Sequence, residues 1–271
     1  MMRALWTAAT GMTAQQTNVD VIANNLSNVN TTAYKKTTTT FKDLVYDNRG
    51  RAYNLDKKDA PVDLQIGLGA KPAATLRDFK DGTYQATERV TDLAISGEGF
   101  FTIRNAQGEM IYTRDGSFKF SPSDDGGQML VNSQGYPVLD AEGNEIIISL
   151  DSIEDLVVAQ DGKISIRNID NEIVYTGIEL GIVKFQNPGG LLSLGSNNYT
   201  TTDNSGAPVW ENALEEGVER SMIMQHYLEG SNVQLVDEMV NLIVAQRAYE
   251  VNSKAINAAD EMLQQANNLR R

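Results

Sequence analysis

The sequence predicts a mainly β protein with long terminal α-helices. Both termini form one discontinuous α-helical coiled-coil domain, joined through an extended arm to a central antiparallel β domain. Three observations predict it. All six Pro and 20 of the 22 Gly lie between residues 46 and 228, so apart from Gly11 and Gly230 both ends lack the residues that interrupt helices. Apolar residues recur every seven positions at each end, and short apolar runs separated by turn residues fill the middle.

At the N-terminus, Leu5, Met12, Val19 and Leu26 form one heptad row, with Ala8, Gln15, Ile22 and Val29 three positions later. Such a narrow stripe reads as the seam of a coiled coil, in which polar Gln15 costs stability but fixes register. Asn24, Asn25, Asn28 and Asn30 cluster at the helix exit, where Asn amides bond to backbone. These four, Asn25 and Asn28 among them, are read either as a plain helix stop or as a set that locks helix to arm and subunit to subunit. The stretch 35–92 opens with Lys35-Lys36-Thr37-Thr38-Thr39-Thr40-Phe41, whose Thr run favours extended backbone. From 93 to 228 come runs such as Leu93-Ala94-Ile95, Phe100-Phe101-Thr102-Ile103, Met110-Ile111-Tyr112-Thr113 and Met129-Leu130-Val131. Asn105-Ala106-Gln107-Gly108, Asp115-Gly116, Gln134-Gly135 and Glu142-Gly143-Asn144 read as hairpin signals, giving an antiparallel sandwich or barrel-like domain. The C-terminal segment repeats the heptad design with Leu235, Leu242, Tyr249, Ile256 and Leu263, flanked by Ala245, Asn252, Ala259 and Ala266. The expected domains are 1–34 with 229–271, the arm 35–92, and the β domain 93–228.

Composition excludes much familiar chemistry. The 271 residues include no Cys and one His, which removes disulfides, thiolate sites and multi-imidazole sites. Lys plus Arg number 23 against 36 Asp plus Glu, and the net charge of −13 argues against nucleic acid as a partner. The segment 46–228 holds 15 cations and 28 anions, so it carries that whole imbalance. No apolar run reaches the length of a membrane span, so direct membrane insertion is not expected. The start, Met1 to Ala9, reads as mature protein and not as a cleaved signal, because its apolar spacing continues through Thr13–Asn18. Gly67-Leu68-Gly69 lacks the rest of a phosphate loop, and Asp124-Asp125-Gly126-Gly127 lacks the alternating acids of a calcium loop. Asp151, Glu154 and Asp155 read as an acidic surface, and His226 as structural. No catalytic, metal or cofactor site is predicted.

Ala23-Asn24-Asn25-Leu26-Ser27-Asn28-Val29-Asn30-Thr31-Thr32-Ala33-Tyr34-Lys35 resembles the N-terminal signature of the bacterial flagellar axial proteins, the rod and hook family. The stretch from Arg3-Ala4-Leu5-Trp6 to Val21-Ile22 is similar to its distal-rod members in particular. Asp92 to Phe101 and Tyr112 to Phe118 resemble the family's central domain, and Leu228 to Val233 and Gln246 to Ala255 its C-terminal signature. The family usually has Gly where this chain has Ala33, which predicts a looser or shifted turn there. The segment Asp47 to Asp63, where distal-rod proteins often carry an insertion tied to rod stiffness, does not closely match the usual form. The chain is short for a typical hook protein.

The resemblance implies a non-enzymatic structural subunit without cofactors, self-assembling helically into the drive shaft that transmits torque. It implies contact with proximal-rod and hook proteins, and with ring proteins where an outer membrane exists. It also implies passage through the flagellar type III export apparatus without a cleaved signal, to an extracytoplasmic basal body. Isolated helices are marginal, so the terminal helices are expected to be poorly ordered in a lone chain. The expected assembly surface is Leu5, Met12, Val19, Ile22, Asn25, Leu26, Asn28, Val29, Leu235, Leu242, Tyr249, Asn252, Ile256 and Leu263, buried as a tube's inner layer with the β domain outward. The alternatives are a proximal-rod or minor hook-basal-body protein, a coiled-coil surface fibre or adhesin, and, more distantly, a carbohydrate hydrolase.

Overall fold

The computed structural model describes residues 2–48, 65–123, 126–148, 156–167, 173–213 and 220–268. The chain divides into two compact units, one of Met1–Ser27, Thr37–Arg77 and Gln234–Arg271, the other of Asn28–Lys36 and Asp78–Val233. Of the stretch expected as an arm, residues 37–77 thus fall in the first unit and 35–36 with 78–92 in the second.

The first unit contains helix α1, Met2–Ser27, and helix α2, Leu235–Asn268. Neither is interrupted by Pro, and Asp237 and Glu238 in the first turn of α2 suit its positive dipole end. Strand Thr37–Asp43, built of the Thr run, pairs antiparallel with Ala70–Arg77. The register slips between Thr40 and Phe41, opposite Pro72, which has no N–H to offer a ladder. Strand Tyr46–Asn48 pairs with Gln65–Gly67, and the rest of the 47–63 segment lies outside the described residues.

The second unit is antiparallel throughout its strand pairs. Its largest sheet has six strands in the order 192–195, 198–200, 110–113, 100–104, 182–184 and 209–210. That sheet is open, not closed into a barrel. Successive residues on a strand face opposite ways, and here both faces are covered. Phe101, Ile103, Ile111 and Ile182 belong to one core with Leu93, Phe118, Leu130, Val138 and Ile146. Phe100, Tyr112, Val183, Phe185 and Tyr199 form a second, aromatic core. Its rings meet edge to face, with Tyr112 and Phe185 centred 4.9 Å apart. Two covered faces explain why Phe100-Phe101-Thr102-Ile103 runs apolar instead of alternating.

Three of the turns share one design. In Asn105–Glu109, Asn132–Tyr136 and Asp140–Asn144, the first side chain's Oδ1 accepts two backbone N–H groups, at 2.7 to 3.0 Å. Gly108, Gly135 and Gly143 take the left-handed positions, with φ of 85°, 83° and 86°. Asp115-Gly116 corrects a sequence expectation, because it closes no hairpin. Strand 110–113 pairs with 100–104 and 198–200, whereas 119–122 pairs with 128–131. Gly116 instead allows close backbone approach, since a Cβ there would run into the Leu93 carbonyl.

Candidate assembly surface

A site built on paired helices is positioned by what locks them. Asn25 is buried on the last turn of α1. Its Oδ1 accepts the Thr37 N–H (3.0 Å), and its Nδ2 donates to the Thr37 carbonyl (2.8 Å), as a neighbouring strand would. The same Nδ2 lies 3.1 Å from Glu238 Oε2, so a buried side chain of α2 joins the network. Farther along, Gly11 lets the helices close up: a Cβ there would stand 2.9 Å from Asn252 Nδ2. Arg3 also forms an ion pair with Asp47.

Ile22 and Asn25 are buried, and Leu5, Met12, Val19 and Leu26 are half-buried. On α2, Leu242, Asn252, Ile256 and Leu263 are half-buried, while Leu235 and Tyr249 are exposed. Asn28 and Val29 belong to the second unit. There the Asn28 carbonyl accepts the Thr31 N–H (3.2 Å), and its side chain accepts the Thr31 hydroxyl (3.1 Å). The most buried row of α2 is Glu238, Ala245 and Ala259, which takes in Ala245 and Ala259 of the predicted flanking row. A groove of about 380 Å³ is lined by Gln16, Val19, Gln246, Tyr249 and Glu250.

Heptad spacing does not point to the larger feature. At 100° per residue, Val236, Met239, Val240, Ile243 and Val251 lie on the side of α2 away from its buried row, and Val244 flanks them. Val236 is 69% exposed, Val244 63% and Val251 64%. Its signal in the sequence is Leu235 to Ala245, which is apolar on nearly every side, as buried helices are.

Elsewhere the chemistry stays structural. His226 has φ of 66° and links strands 222–225 and 227–229, its N–H donating to the Asp92 carbonyl at 2.9 Å. Glu211 lines a hollow of about 410 Å³, but it accepts the Ser221 N–H (3.0 Å) and hydroxyl (2.6 Å) and sits 3.4 Å from Lys184 Nζ. Asp124, Asp125, Asp151, Glu154 and Asp155 lie outside the described residues. Among the described residues no helix is long and apolar enough to cross a membrane.

Comparison with known sequences covers both ends and the β region. Residues 5–35 match the family described as flagella basal body rod protein. Residues 94–166 match the flagellar hook protein FlgE/F/G D1 domain, and 224–269 the flagellar basal body rod FlgEFG protein C-terminal region. The flagellar basal-body rod protein FlgG of Borreliella burgdorferi is 46% identical over 275 residues, covering 100% of both chains. FlgG of Bacillus subtilis is 38% identical over 272 residues, also across 100% of each chain. The flagellar hook-basal body complex protein FlhP of Bacillus subtilis is 34% identical over 284 residues with the same coverage. The chain belongs to the flagellar basal-body rod protein family, a structural and non-enzymatic family of the bacterial flagellum.

Proposed function

We propose that this chain is a distal-rod subunit that polymerises into a tubular shaft, with residues 1–34 and 229–271 as its axial core. In this reading α1 and α2 pair as a coiled coil, 35–92 serves as the arm, and the acidic 93–228 domain faces outward. One observation carries it: α2 has apolar residues on two sides, of which one is covered and the other exposed among the described residues.

Covering Val236, Met239, Val240, Ile243, Val244 and Val251 would contribute on the order of 5–10 kcal/mol, at about 1.5–3 kcal/mol per fully buried side chain. Association costs about 4–15 kcal/mol, so one such contact barely offsets it. A helical lattice, in which each subunit meets several neighbours by head-to-tail contacts, supplies the surplus. The shaft would contact proximal-rod and hook proteins at its ends, and ring proteins where an outer membrane exists. Its subunits would reach the extracytoplasmic side through the type III export apparatus. The predicted rows from Leu5 to Leu26 and Leu235 to Leu263, with Asn25, Asn28 and Asn252, then serve mainly to build the helix pair. The open face of α2 meets the neighbours.

The test is Val240→Asp combined with Ile243→Asp. Both positions are exposed, so circular dichroism should stay unchanged while filaments vanish from electron micrographs of concentrated protein. Filaments at wild-type yield would defeat the proposal. The 34% identity to FlhP supports a second reading, a minor hook-basal-body component. Gold labelling of the assembled structure separates them, because a distal subunit marks a continuous length of shaft.

A further inference from the structure

Within the second unit, Lys35, Arg114 and Glu229 are buried side by side, with Asp81 at their edge. Lys35 Nζ donates to Glu229 Oε1 at 2.5 Å and to the Lys80 carbonyl at 2.7 Å. Arg114 donates to Asp81 Oδ1 at 3.1 Å and to the Gly97 carbonyl at 2.5 Å, and it stands 3.6 Å from Glu229 Oε2. Its guanidinium also lies 5.2 Å from the centre of the Phe100 ring. Two positive and two negative groups therefore balance in one place.

The backbone around them is cross-bonded from three segments. The Ala33 N–H donates to the Glu229 carbonyl at 2.7 Å, and the Gly82 N–H to Glu229 Oε1 at 3.0 Å. Asn232 Oδ1 accepts the Lys36 N–H at 2.7 Å, while its Nδ2 donates to the Asp78 carbonyl at 2.8 Å. Gly82 has no room for a side chain, because a Cβ would run into the Gly230 carbonyl. Burial pushes the Lys35 ammonium below its ordinary pKa, against the pull of the Glu229 carboxylate.

A buried pair that loses one partner leaves an uncompensated charge, which is far more costly than the pair itself. Lys35 comes after α1 and Glu229 precedes α2, 194 positions later. We propose that Lys35, Arg114, Asp81 and Glu229 act as a coincidence latch, through which the segment after α1 docks in the second unit only together with the segment before α2. Neither segment is seated by its own contacts alone. A chain with only one of them in place holds an excess buried charge and stays open at both. The latch is a property of the single chain and is independent of its role in a shaft.

Amide hydrogen exchange on the full-length chain tests it, using Glu229→Gln, Lys35→Met and the double variant. Each single substitution should speed exchange roughly 100-fold or more, the population shift expected of an uncompensated buried charge, in both 28–36 and 226–233. The double variant leaves Arg114 and Asp81 balanced and should restore protection in both segments. Loss confined to the substituted segment, wild-type exchange in the single variants, or no recovery in the double would each overturn the latch. If a single variant loses protection throughout, including strands 100–104 and 182–184, recovery in the double still supports the coupling. Loss throughout in all three overturns it, because the defect is then one of side-chain shape.

Discussion

The Tyr84 hydroxyl is placed to donate to Asp81 Oδ2 (2.9 Å) or to the Ile95 carbonyl (3.2 Å). Burial first, and then the Asp81 carboxylate, push its pKa from 10.0 up to about 12. A folded value above the unfolded one stabilises the protein fully below pH 10, and that contribution fades as pH rises through about 12. Lys35 runs the other way. Burial holds its folded pKa below 10.5, so its share of stability is absent below that folded value and grows as pH climbs from there towards 10.5. Comparing urea unfolding of the wild type and Tyr84→Phe between pH 8 and pH 12 isolates the tyrosine. The variant should lose less stability above pH 10 than the wild type, and parallel curves would refute the assignment. Ala33 shows how a residue can hold a conformation its type disfavours. Its φ of 54° lies in the left-handed region, at a cost of about 1–2 kcal/mol for an L-residue. The turn expected to loosen there is nonetheless tied down by the bond from its N–H to Glu229. That partner lies far along the chain, so local sequence carries no sign of it.

Among the elements, the helices are legible as helices because no Pro and only one Gly, Gly11, falls within them and apolar spacing persists. On α2 the heptad count gives a bulky row and an Ala-rich row beside it, and close approach selects the small residues: Ala245 and Ala259 are the buried ones. Gly11 belongs to the same contact. Helix propensity alone would have Gly11→Ala and Gly11→Val both stabilise α1, Ala by about 1 kcal/mol. Packing adds a penalty that rises with side-chain size. The amide end of Asn252 can give way to one methyl group, but a branched side chain overfills the gap, at about 1–3 kcal/mol. Thermal unfolding should therefore show Gly11→Val below the wild type and Gly11→Ala near it. A Val variant at least as stable as wild type would mean the helices do not approach closely at that point. The turns at 105–109, 132–136 and 140–144 are readable because Asn or Asp and Gly stand at fixed offsets. Asp115-Gly116 has the same composition but serves a long-range crossing, which composition cannot distinguish.

At the scale of the whole molecule, charge and apolar surface are segregated along the chain. The −13 resides in 46–228, and the bare apolar face belongs to α2. Like-charged neighbours in a shaft would repel, whereas contacts between apolar faces are not weakened by salt. Raising ionic strength from ~0.01 M to ~0.15 M shortens the screening length from about 30 Å to about 8 Å. The critical concentration for filament growth, measured by light scattering, should fall over that range. A rise would indicate that opposite charges, not apolar surface, hold the subunits. The bond between Lys35 and Glu229 has an order of events written into it. A chain delivered from its first residue to its last cannot fasten that bond until nearly everything has arrived. On the latch proposed above, the segment after α1 therefore waits, unseated, for a partner that arrives only just ahead of α2.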